Sequence, residues 1–477
     1  MRKLLIGLEI HIQLATTKKL FCSCSSGFGY PPNTTVCPIC MGYPGTLPVL
    51  NHEAVEMGIA LGIALKGSVQ EQSHFDRKNY FYPDLPKGYQ ITQFSSPLVK
   101  NAFLRIQHKK IRIERIHLEE DSAKIAHLDQ SAEVLIDYNR SGIPLLEVVT
   151  KPDITSPDEA VRFLTNLKQI AEYIGISSGR MEEGALRCDV NISLSASGKK
   201  PNYRIEVKNL NSFKSAHKSI LFELHRQEAY LNEHHRLVSE TRGYDEKTEE
   251  TYLLRKKVNA YDYRYFPEPD LLPIQVKLST INRIGQQLPE LPGKARRRLV
   301  EQYPISIKHA IILTDTKELS DFFEKTVSLY PHPKKVIDWL FTDFFKNLKK
   351  YDLTMKTQQL SPSMLASLLR ILEEGRISRN QGKVILENLM KSGGDPETII
   401  RTNQISQENN PELIDRWIQA VLLNHPNEIA VYQSGKNNII DMFVGEVLDI
   451  SLGKANPVLV KTRLEERLMK KGSEKGR

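Results

Sequence analysis

The sequence predicts an α+β protein: a mixed, largely antiparallel N-terminal part, then an all-helical C-terminal bundle. Three observations predict this order. Strand-like stretches that alternate apolar and polar residues, separated by proline-rich turns, fill residues 1 to about 290. Two amphipathic helices lie within that part. After the turn segment at residues 288–293, the alternation stops and helical periodicity takes over.

The first strand-like stretch, residues 8–14 (LEIHIQL), places a carboxylate beside an imidazole. Side chains two apart in a strand share a face, so Glu9, His11 and Gln13 point one way and the aliphatic side chains point the other. A single strand of this kind is better explained as the solvated outer face of an antiparallel sheet.

The same pattern recurs in two later stretches, and this repetition changes the interpretation. Residues 187–191 and 204–208 each place a carboxylate between polar or cationic side chains on one face: Arg187, Asp189 and Asn191 in the first, and Arg204, Glu206 and Lys208 in the second. Such carboxylates suit Mg²⁺ together with substrate phosphates, and arginines bind phosphate oxygens in pairs of contacts. Three strands with this pattern favour a functional site.

Helix signals are clear along the rest of the chain. One helix is predicted from Ser156, with Pro157 at its first position, Glu159 completing a capping box and Gly175 after its end. A second runs from Ser212 to about residue 232. The later part predicts helices at 294–302, 308–329, 334–349, 361–375, 378–393, 411–424, 426–433, 437–451 and 457–470.

Four of the five cysteines form two close pairs, Cys22-x-Cys24 and Cys37-x-x-Cys40. Four thiolates in two such pairs are the tetrahedral ligand set of structural Zn²⁺ sites, and they leave no open position for catalysis. We therefore predict a structural zinc rather than four buried or free thiols. Cys188, on the apolar side of its strand, is most simply a small core residue.

Composition narrows the class of protein. A chain of 477 residues predicts two to four domains, and 40% hydrophobic with 26% charged residues is ordinary for a globular protein. The net charge of +9 favours a polyanionic partner. No apolar run approaches the roughly 18–20 residues of a membrane span. The cysteine spacing fits a reducing cytoplasm better than a disulfide framework, so we predict a cytoplasmic protein without a membrane partner.

Residues 75–90 mix aromatic and cationic side chains, among them Lys78 and Tyr82. Such a mixture can stack a base and bind phosphate, but aromatics near prolines also fill loop cores, and this segment alone does not favour either interpretation. The chain has no phosphate-binding glycine motif, so nucleotide phosphates would depend on Mg²⁺, Arg and Lys. It also shows no nucleophile elbow or amidase segment, so we do not expect it to hydrolyse amides.

Long motifs along essentially the whole chain resemble the B-subunit family of the aspartyl/glutamyl-tRNA amidotransferases. They are residues 7–14, 21–51, 75–90, 117–121 (HLEED), 137–140, 181–191, 208–213 and 262–270. The chain departs from the family pattern at three places: Ser122-Ala123 stands for Ala-Gly, Thr150-Lys151 for Ser-Glu, and Tyr261 for His. None of these departures affects a proposed ligand.

The resemblance implies a kinase-like and transamidase activity that uses ATP. The side-chain carboxylate of Glu on tRNA(Gln), or of Asp on tRNA(Asn), is phosphorylated, and ammonia then displaces the phosphate. A separate amidase (A) subunit would supply the ammonia from glutamine, and a small C subunit would complete a heterotrimer. The implied domains are a cradle similar to the glutamine synthetase catalytic domain at 1–292, a helical domain at 293–405 and a tRNA-binding helical tail at 406–477.

The resemblance and the polar faces together give the candidate site residues. The candidate Mg²⁺ ligands, in some combination, are His11, Glu120, Glu147, Asp189 and Glu206. Glu9 would act on ammonia or through a metal-bound water. Lys208 and Arg204, with Arg187, would neutralise the transferring phosphoryl group. The candidate catalytic residues are Glu9, His11, Glu120, Asp189, Glu206 and Lys208, and the candidate cofactor-binding residues are Arg187, Arg204, Lys78 and Tyr82.

Two alternatives stay open from the sequence. A non-catalytic tRNA-binding adaptor would work through a basic C-terminal bundle, and its acids would only hold a structural ion. A stand-alone ammonia ligase for a small acid would not need residues 406–477.

Overall fold

The structure is a computed structural model that describes residues 2–127, 133–195, 201–210, 212–256, 263–402, 408–434, 436, 438–451 and 453–473. Tyr261 and Asp262, in or beside the motif at 262–270, and Asn211 of the motif at 208–213 lie outside the described residues. The chain divides into two compact units, residues 1–294 and 295–477.

The strands of the described residues all lie in the first unit. In chain order they are β1 (Lys3–Gln13), β2 (Ser68–Val69), β3 (Gln72–Ser73), β4 (Asp76–Asn79), β5 (Tyr89–Thr92), β6 (Val99–Ile106), β7 (Lys109–Glu120), β8 (Lys124–His127), β9 (Val134–Asp137), β10 (Pro144–Thr150), β11 (Leu186–Ser195), β12 (Ile205–Leu210), β13 (Glu240–Asp245), β14 (Glu250–Lys256), β15 (Phe266–Pro267) and β16 (Ile274–Gln275).

The helices lie on both sides of the division between the units. In chain order they are α1 (His52–Ala64), α2 (Pro157–Tyr173), α3 (Phe213–Asn232), α4 (Leu278–Gln287), α5 (Pro292–Gln302), α6 (Ile307–Leu313), α7 (Lys317–Leu329), α8 (Pro333–Trp339), a π-helical turn (Leu340–Phe344), α9 (Phe345–Lys350), α10 (Pro362–Glu373), α11 (Arg379–Ser392), α12 (Pro396–Thr402), α13 (Pro411–Asn424), α14 (Pro426–Gln433), α15 (Ile439–Ile450) and α16 (Pro457–Ser473).

Nine strands form one large sheet in the order β14-β13-β12-β11-β1-β10-β7-β6-β2. Each pair of neighbours in it is antiparallel, except β12 and β13, which are parallel. The strands β12, β11 and β1 carry the three predicted polar faces, and they are direct neighbours. The three stretches therefore pair in one sheet. The prediction of a mixed α and β first part followed by helices is confirmed.

One side of the large sheet is the hydrophobic core of the first unit. Ile6, Ile10 and Ile12 of β1 are fully buried, and they belong to the same apolar cluster as Phe163 of α2 and Ile220 of α3. Fully burying an aliphatic or aromatic side chain of this size contributes about 1.5–3 kcal/mol. Successive side chains of a strand point to opposite faces of the sheet. Because the even-numbered residues of β1 face the core, Glu9 and His11 lie on the opposite, polar face.

The buried face of β1 gives a stability prediction. We expect Ile10→Ala to lower the free energy of unfolding of the first unit by about 2–5 kcal/mol, because the lost carbons leave a cavity that the packed sheet cannot close. Hydrogen exchange of the β1 amides measures the effect. Leu272→Ala is the control, since Leu272 is 88% exposed. Equal exchange rates in the two variants would contradict the assignment of this face to the core.

The predicted capping residues begin the helices, with one correction. Ser156 accepts a hydrogen bond from the backbone of Glu159 at the start of α2. The predicted capping box is incomplete, because the Glu159 carboxylate accepts from the backbone of Thr155 and from Lys109 instead of from the Ser156 backbone. The start of α3 after Ser212 is confirmed.

The helix predicted at 308–329 is wrong, because two helices occupy this range. Thr314 ends α6, and the side chain of Thr316 accepts from the backbone of Leu319 to begin α7. Thr316 is a typical N-cap residue, so Thr314 and Thr316 mark the end of one helix and the start of the next. The apolar periodicity continues across both helices and therefore does not show this break. The helices α1, α4 and α12 were not predicted.

The second unit contains two separate apolar clusters, one formed between residues 299 and 400 and one between residues 414 and 468. The division of this unit at 405/406 stays a prediction. Within the described residues, no helix has both the length and the apolar character that crossing a bilayer requires.

Candidate functional site: two carboxylate clusters on one sheet face

Five neighbouring strands bring acidic side chains together on the polar face of the large sheet. In the register of the sheet, Glu9 lies opposite Asp189, and His11 lies opposite Glu147. The side chains form two groups, which we call cluster A (Glu9, Asp189 and Glu206) and cluster B (His11, Glu119 and Glu147). Within each cluster, one ligand atom from every residue lies within 4.8 Å of the others.

Cluster A combines three carboxylates with one ammonium group. Lys208 Nζ lies 2.8 Å from Asp189 Oδ2 and 3.3 Å from Glu206 Oε1, and Asn191 Nδ2 donates to Glu9 Oε1 at 2.9 Å. Burial first, and then the neighbouring carboxylates, raise the pKa of Glu9. Burial alone would lower the pKa of Lys208, but the charges of Asp189 and Glu206 outweigh it and raise that pKa. Lys208 therefore stays charged beside the three carboxylates.

The two carboxylates of cluster B lie beside two imidazoles, that of His11 within the cluster and that of the neighbouring His117. His11 Nε2 lies 3.0 Å from Glu119 Oε1 and 3.8 Å from Glu147 Oε2, while His117 Nε2 lies 3.2 Å from the same Glu147 oxygen. Burial would lower the pKa of His11, but the hydrogen bond and charge of Glu119 raise it to about 9. Burial would raise the pKa of Glu147, but the charges of His117 and His11 outweigh it and lower that pKa.

Both clusters fit a divalent cation. Carboxylate oxygens are the ligands that Mg²⁺ prefers, and an imidazole nitrogen is also accepted by Mn²⁺ and similar ions. Burial first, and then the charges of Glu147, Glu206 and Asp189, raise the pKa of Glu9, and a cation would offset the repulsion among these carboxylates. Asn191 Oδ1 and His117 Nδ1, beside the two clusters, are buried without a hydrogen-bond partner among the described residues. Polar atoms left in this way are consistent with a site built to contain a further group.

The clusters lie in a cavity of about 270 Å³. Its wall includes the parallel-stacked rings of Phe94 and Tyr265, with centroids 4.1 Å apart, and the ring of Tyr263 with Lys78 Nζ 5.1 Å from its centroid. Arg204 also lines the cavity. An acidic floor, cationic rims and an aromatic wall suit a ligand that combines phosphates with a flat ring.

Most of the predicted site residues converge on this cavity. Those that line it are Glu9, His11, Lys78, Glu147, Asp189, Arg204, Glu206 and Lys208. Arg187 does not line it: its guanidinium pairs with Asp121 at 2.6 Å. Tyr82 does not line it either, and 57% of this residue is exposed.

The structure does not bring Glu120, a predicted ligand, to either cluster, and Glu119 lies beside His11 instead. Glu120 points to the other side of β7, where it accepts from Lys87 and from the backbone of Ile91. It lines a separate cavity of about 120 Å³. The alternation that placed Glu9 and His11 on one face, applied from His117 onward, would have selected Glu119.

Further cavity residues outside the predicted site set include Arg115, Tyr263 and Tyr265. Arg115 shares the parity of His117 along β7, so alternation could have found it. The two tyrosines reach the cavity through a loop, and no local pattern indicates this.

A buried ion pair fastens the aromatic wall. Arg77 donates from Nε and Nη2 to the two carboxylate oxygens of Glu268, at 2.7 and 2.8 Å, and its guanidinium stacks 4.2 Å from the centroid of the Tyr89 ring. The pairing of β15 with β4 holds the same segment, and Asn79 Nδ2 donates to the backbone of Arg264 at 2.8 Å. The tyrosines of the wall are therefore positioned from outside the cavity.

This ion pair gives a second stability prediction. We expect Glu268→Gln to lower the free energy of unfolding by about 3 kcal/mol, because it leaves the Arg77 guanidinium without its buried carboxylate. Asp270→Asn is the matched control, since Asp270 contacts the same guanidinium at 3.0 Å but is much more exposed. Its expected cost is below about 1 kcal/mol. Chemical denaturation measures both, and a smaller loss for Glu268→Gln than for the control would contradict the prediction.

The four paired cysteines form a separate group, and their four sulfur atoms lie within 4.8 Å of one another. The sulfurs of Cys37 and Cys40 are 3.9 Å apart, close to the roughly 3.8 Å expected for two ligands at about 2.3 Å from a tetrahedral zinc. The hydrogen bond with Cys22, the Cys37 backbone and the charge of Lys19 outweigh burial and lower the pKa of Cys40. The donor set and its spacing fit zinc. Cys188 is buried in the core, as predicted.

Comparison with known proteins gives matches over nearly the whole chain. Residues 4–282 match the family model described as "GatB/GatE catalytic domain", and residues 321–468 match "GatB domain". A protein of Persephonella marina is 42% identical over 97% of this chain and 98% of its own length, and one of Carboxydothermus hydrogenoformans is 41% identical over 98% of each. One of Thermoanaerobacter pseudethanolicus is 42% identical over 98% of this chain and 99% of its own length. All three relatives are named as the B subunit of aspartyl/glutamyl-tRNA(Asn/Gln) amidotransferase.

Proposed function

Because the chain belongs to the family of aspartyl/glutamyl-tRNA(Asn/Gln) amidotransferase B subunits, we propose that it amidates Glu-tRNA(Gln), Asp-tRNA(Asn) or both at the expense of ATP. The observation that carries the proposal is the adjacency of clusters A and B at the base of one cavity. Transfer of a phosphoryl group needs mainly positioning and charge neutralisation, and two sets of carboxylates flanked by cations suit both.

The proposed reaction has two steps. An oxygen of the Glu or Asp side chain attacks the γ-phosphorus of ATP, and ADP leaves. The nitrogen of ammonia then attacks the carbonyl carbon of this acyl phosphate, phosphate leaves with its bonding electrons, and the nitrogen loses one proton. The products are the amide, ADP, phosphate and a proton.

The residues of the chain divide between these steps. Lys208, Arg204 and Arg115 line the cavity, and they neutralise the transferring phosphoryl group. Glu9 accepts the proton from the attacking nitrogen, a role that suits a carboxylate whose pKa is raised. The stacked rings of Phe94 and Tyr265 offer a surface for a base.

Magnesium would be held by Asp189 and Glu206 in cluster A, and by His11, Glu119 and Glu147 in cluster B. When bound, it would neutralise phosphate oxygens and orient them for in-line transfer. We also propose that the largely antiparallel sheet with acids on one face is a cradle of the glutamine synthetase type, and that the cysteines hold a structural zinc.

We propose that the partners are an amidase (A) subunit and a small C subunit in a heterotrimer. The relatives are each named as one subunit of an enzyme, and the sequence carries no amidase segment of its own. Glutamine hydrolysis would therefore take place on another chain. A cytoplasmic location stays a prediction.

For the second unit, we propose a helical domain at 293–405 and a tRNA-binding tail at 406–477. Residues 406–477 contain ten Lys or Arg and ten Asp or Glu. Residues 293–405 contain nineteen basic and thirteen acidic residues. Long-range attraction of tRNA phosphates would therefore come more from the helical domain than from the tail.

Reconstitution with the partner subunits tests the proposal. The products Gln-tRNA and Asn-tRNA are measured from each mischarged tRNA, with glutamine or with ammonium as the donor. The expected result is amide formation from both donors, coupled to ADP release that requires mischarged tRNA. Binding of tRNA without ADP release would favour the adaptor, and amidation of free glutamate would favour the stand-alone ligase.

A further inference from the structure

Lys19 is a lysine buried beside the cysteines. The whole of Lys19, side chain and backbone, is shielded from solvent, while the neighbouring Lys18 is exposed. Lys19 Nζ lies 3.7 Å from Cys40 Sγ and donates to the backbone oxygen of Tyr138 at 3.2 Å. No carboxylate among the described residues forms an ion pair with this ammonium group.

A buried ammonium needs a counter-charge. Without one, removing such a group from water costs several kcal/mol, and one neutral carbonyl does not compensate for it. Four neutral thiols would not supply the charge either. Four thiolates around one Zn²⁺ would carry a net charge of minus two, so an ammonium group 3.7 Å from one of the sulfurs is electrostatically favourable.

The same residue connects the cysteines to the catalytic sheet. The Lys19 backbone donates to the Cys24 backbone at 2.9 Å, and the next residue, Leu20, donates to the Gly142 backbone at 2.8 Å. Residues 138–142 are therefore held by two hydrogen bonds, one from the Lys19 side chain to Tyr138 and one from the Leu20 backbone to Gly142. This segment leads directly into β10, which begins at Pro144 and carries Glu147 of cluster B.

We propose that Lys19 is a positioning residue of the zinc site, which balances the charge of the zinc-bound thiolates and fastens them to residues 138–142. The inference rests on the proposed zinc and is independent of the amidation reaction. Groups in contact with metal ligands typically change metal affinity by about ten- to a hundredfold when they are removed.

The experiment uses the full chain, purified with zinc. Zinc content is measured by mass spectrometry, and the rate of zinc transfer to the chromogenic chelator 4-(2-pyridylazo)resorcinol is followed at one fixed neutral pH. We expect Lys19→Met, which keeps the length of the side chain, to speed zinc loss by about tenfold or more. Lys18→Met is the matched control and should release zinc at the rate of the unaltered chain.

Two results would overturn the proposal: an unaltered chain that contains no zinc, or a folded Lys19→Met variant that keeps zinc as long as the control. If Lys19→Met does not fold, hydrogen exchange of the unaltered chain decides. Removal of zinc should then increase hydrogen exchange at residues 138–142 as well as at the cysteines. Unchanged exchange at residues 138–142 would overturn the proposal that Lys19 fastens the zinc site to this segment. None of these measurements depends on amidation, so a failure of the proposed activity would be seen separately.

Discussion

Asp189→Asn and Glu206→Gln are each expected to lower the rate of amidation by about a hundred- to a thousandfold. Both residues belong to cluster A, and each substitution removes one anionic ligand while it keeps the shape of the side chain. A bound cation contributes several kcal/mol to the stabilisation of charge in a transition state, and each 1.4 kcal/mol corresponds to a factor of about ten in rate.

The measurement is the formation of amidated tRNA by the reconstituted complex, with ammonium as the donor so that glutamine hydrolysis does not contribute. Release of ADP is followed in parallel. Binding of mischarged tRNA should change little, since the substitutions lie at the base of the cavity. Glu53→Gln is the control, because Glu53 is an exposed residue of α1 and the substitution changes the same functional group.

Full activity in either cluster A variant would remove the argument for a metal on this face. Equal losses of activity and of tRNA binding would instead indicate a fault in folding. Excess Mg²⁺ or Mn²⁺ gives a further check. A variant with a weakened site should recover part of its activity as the concentration of the ion rises.

Deletion of residues 406–477 should weaken the binding of mischarged tRNA by about tenfold or more, which corresponds to about 1.4 kcal/mol or more. The deleted range contains all residues of the third apolar cluster, whose buried members run from Ile414 to Leu468. The cluster between 299 and 400 and the core of the large sheet contain no residue of this range. The shortened chain is therefore expected to stay folded.

The salt dependence distinguishes the contribution of the tail from that of the helical domain. The slope of log K against log salt reports the number of phosphates neutralised. Because residues 406–477 carry as many acidic as basic residues, the slope should stay nearly the same after the deletion while the affinity falls. A chain that lacks only residues 474–477 is the control. Unchanged affinity in the longer deletion would contradict a tRNA-binding tail.

How far the site could be predicted depends on whether the signal was local. Alternation along one strand selects Glu9 with His11, and the spacing of Cys37 and Cys40 selects a pair of candidate metal ligands. Both patterns need only a few neighbouring residues. Glu119 and Glu120 are adjacent acids of β7, and only the parity of the strand separates them, since Glu119 shares the face of His117 and Glu120 lies on the other face.

Other features depend on contacts between distant parts of the chain. Arg187 has the residue type and parity of a phosphate ligand, but it pairs with Asp121. The position of Tyr263 in the aromatic wall depends on the pairing of β15 with β4. Lys19 and Tyr138 meet across two loops. Sequence patterns indicate which side chains share a face, while the partners of those side chains follow only from the assembled sheet.

The order of the strands has a consequence for the biosynthesis of the protein. Cluster A joins Glu9, near the start of the chain, with Asp189 and Glu206 on neighbouring strands. A nascent chain on the ribosome cannot assemble this group until Glu206 has left the exit tunnel, and neither can a proteolytic fragment that stops short of it. The nucleotide-dependent step that we propose at cluster A would therefore require a chain that extends past Glu206.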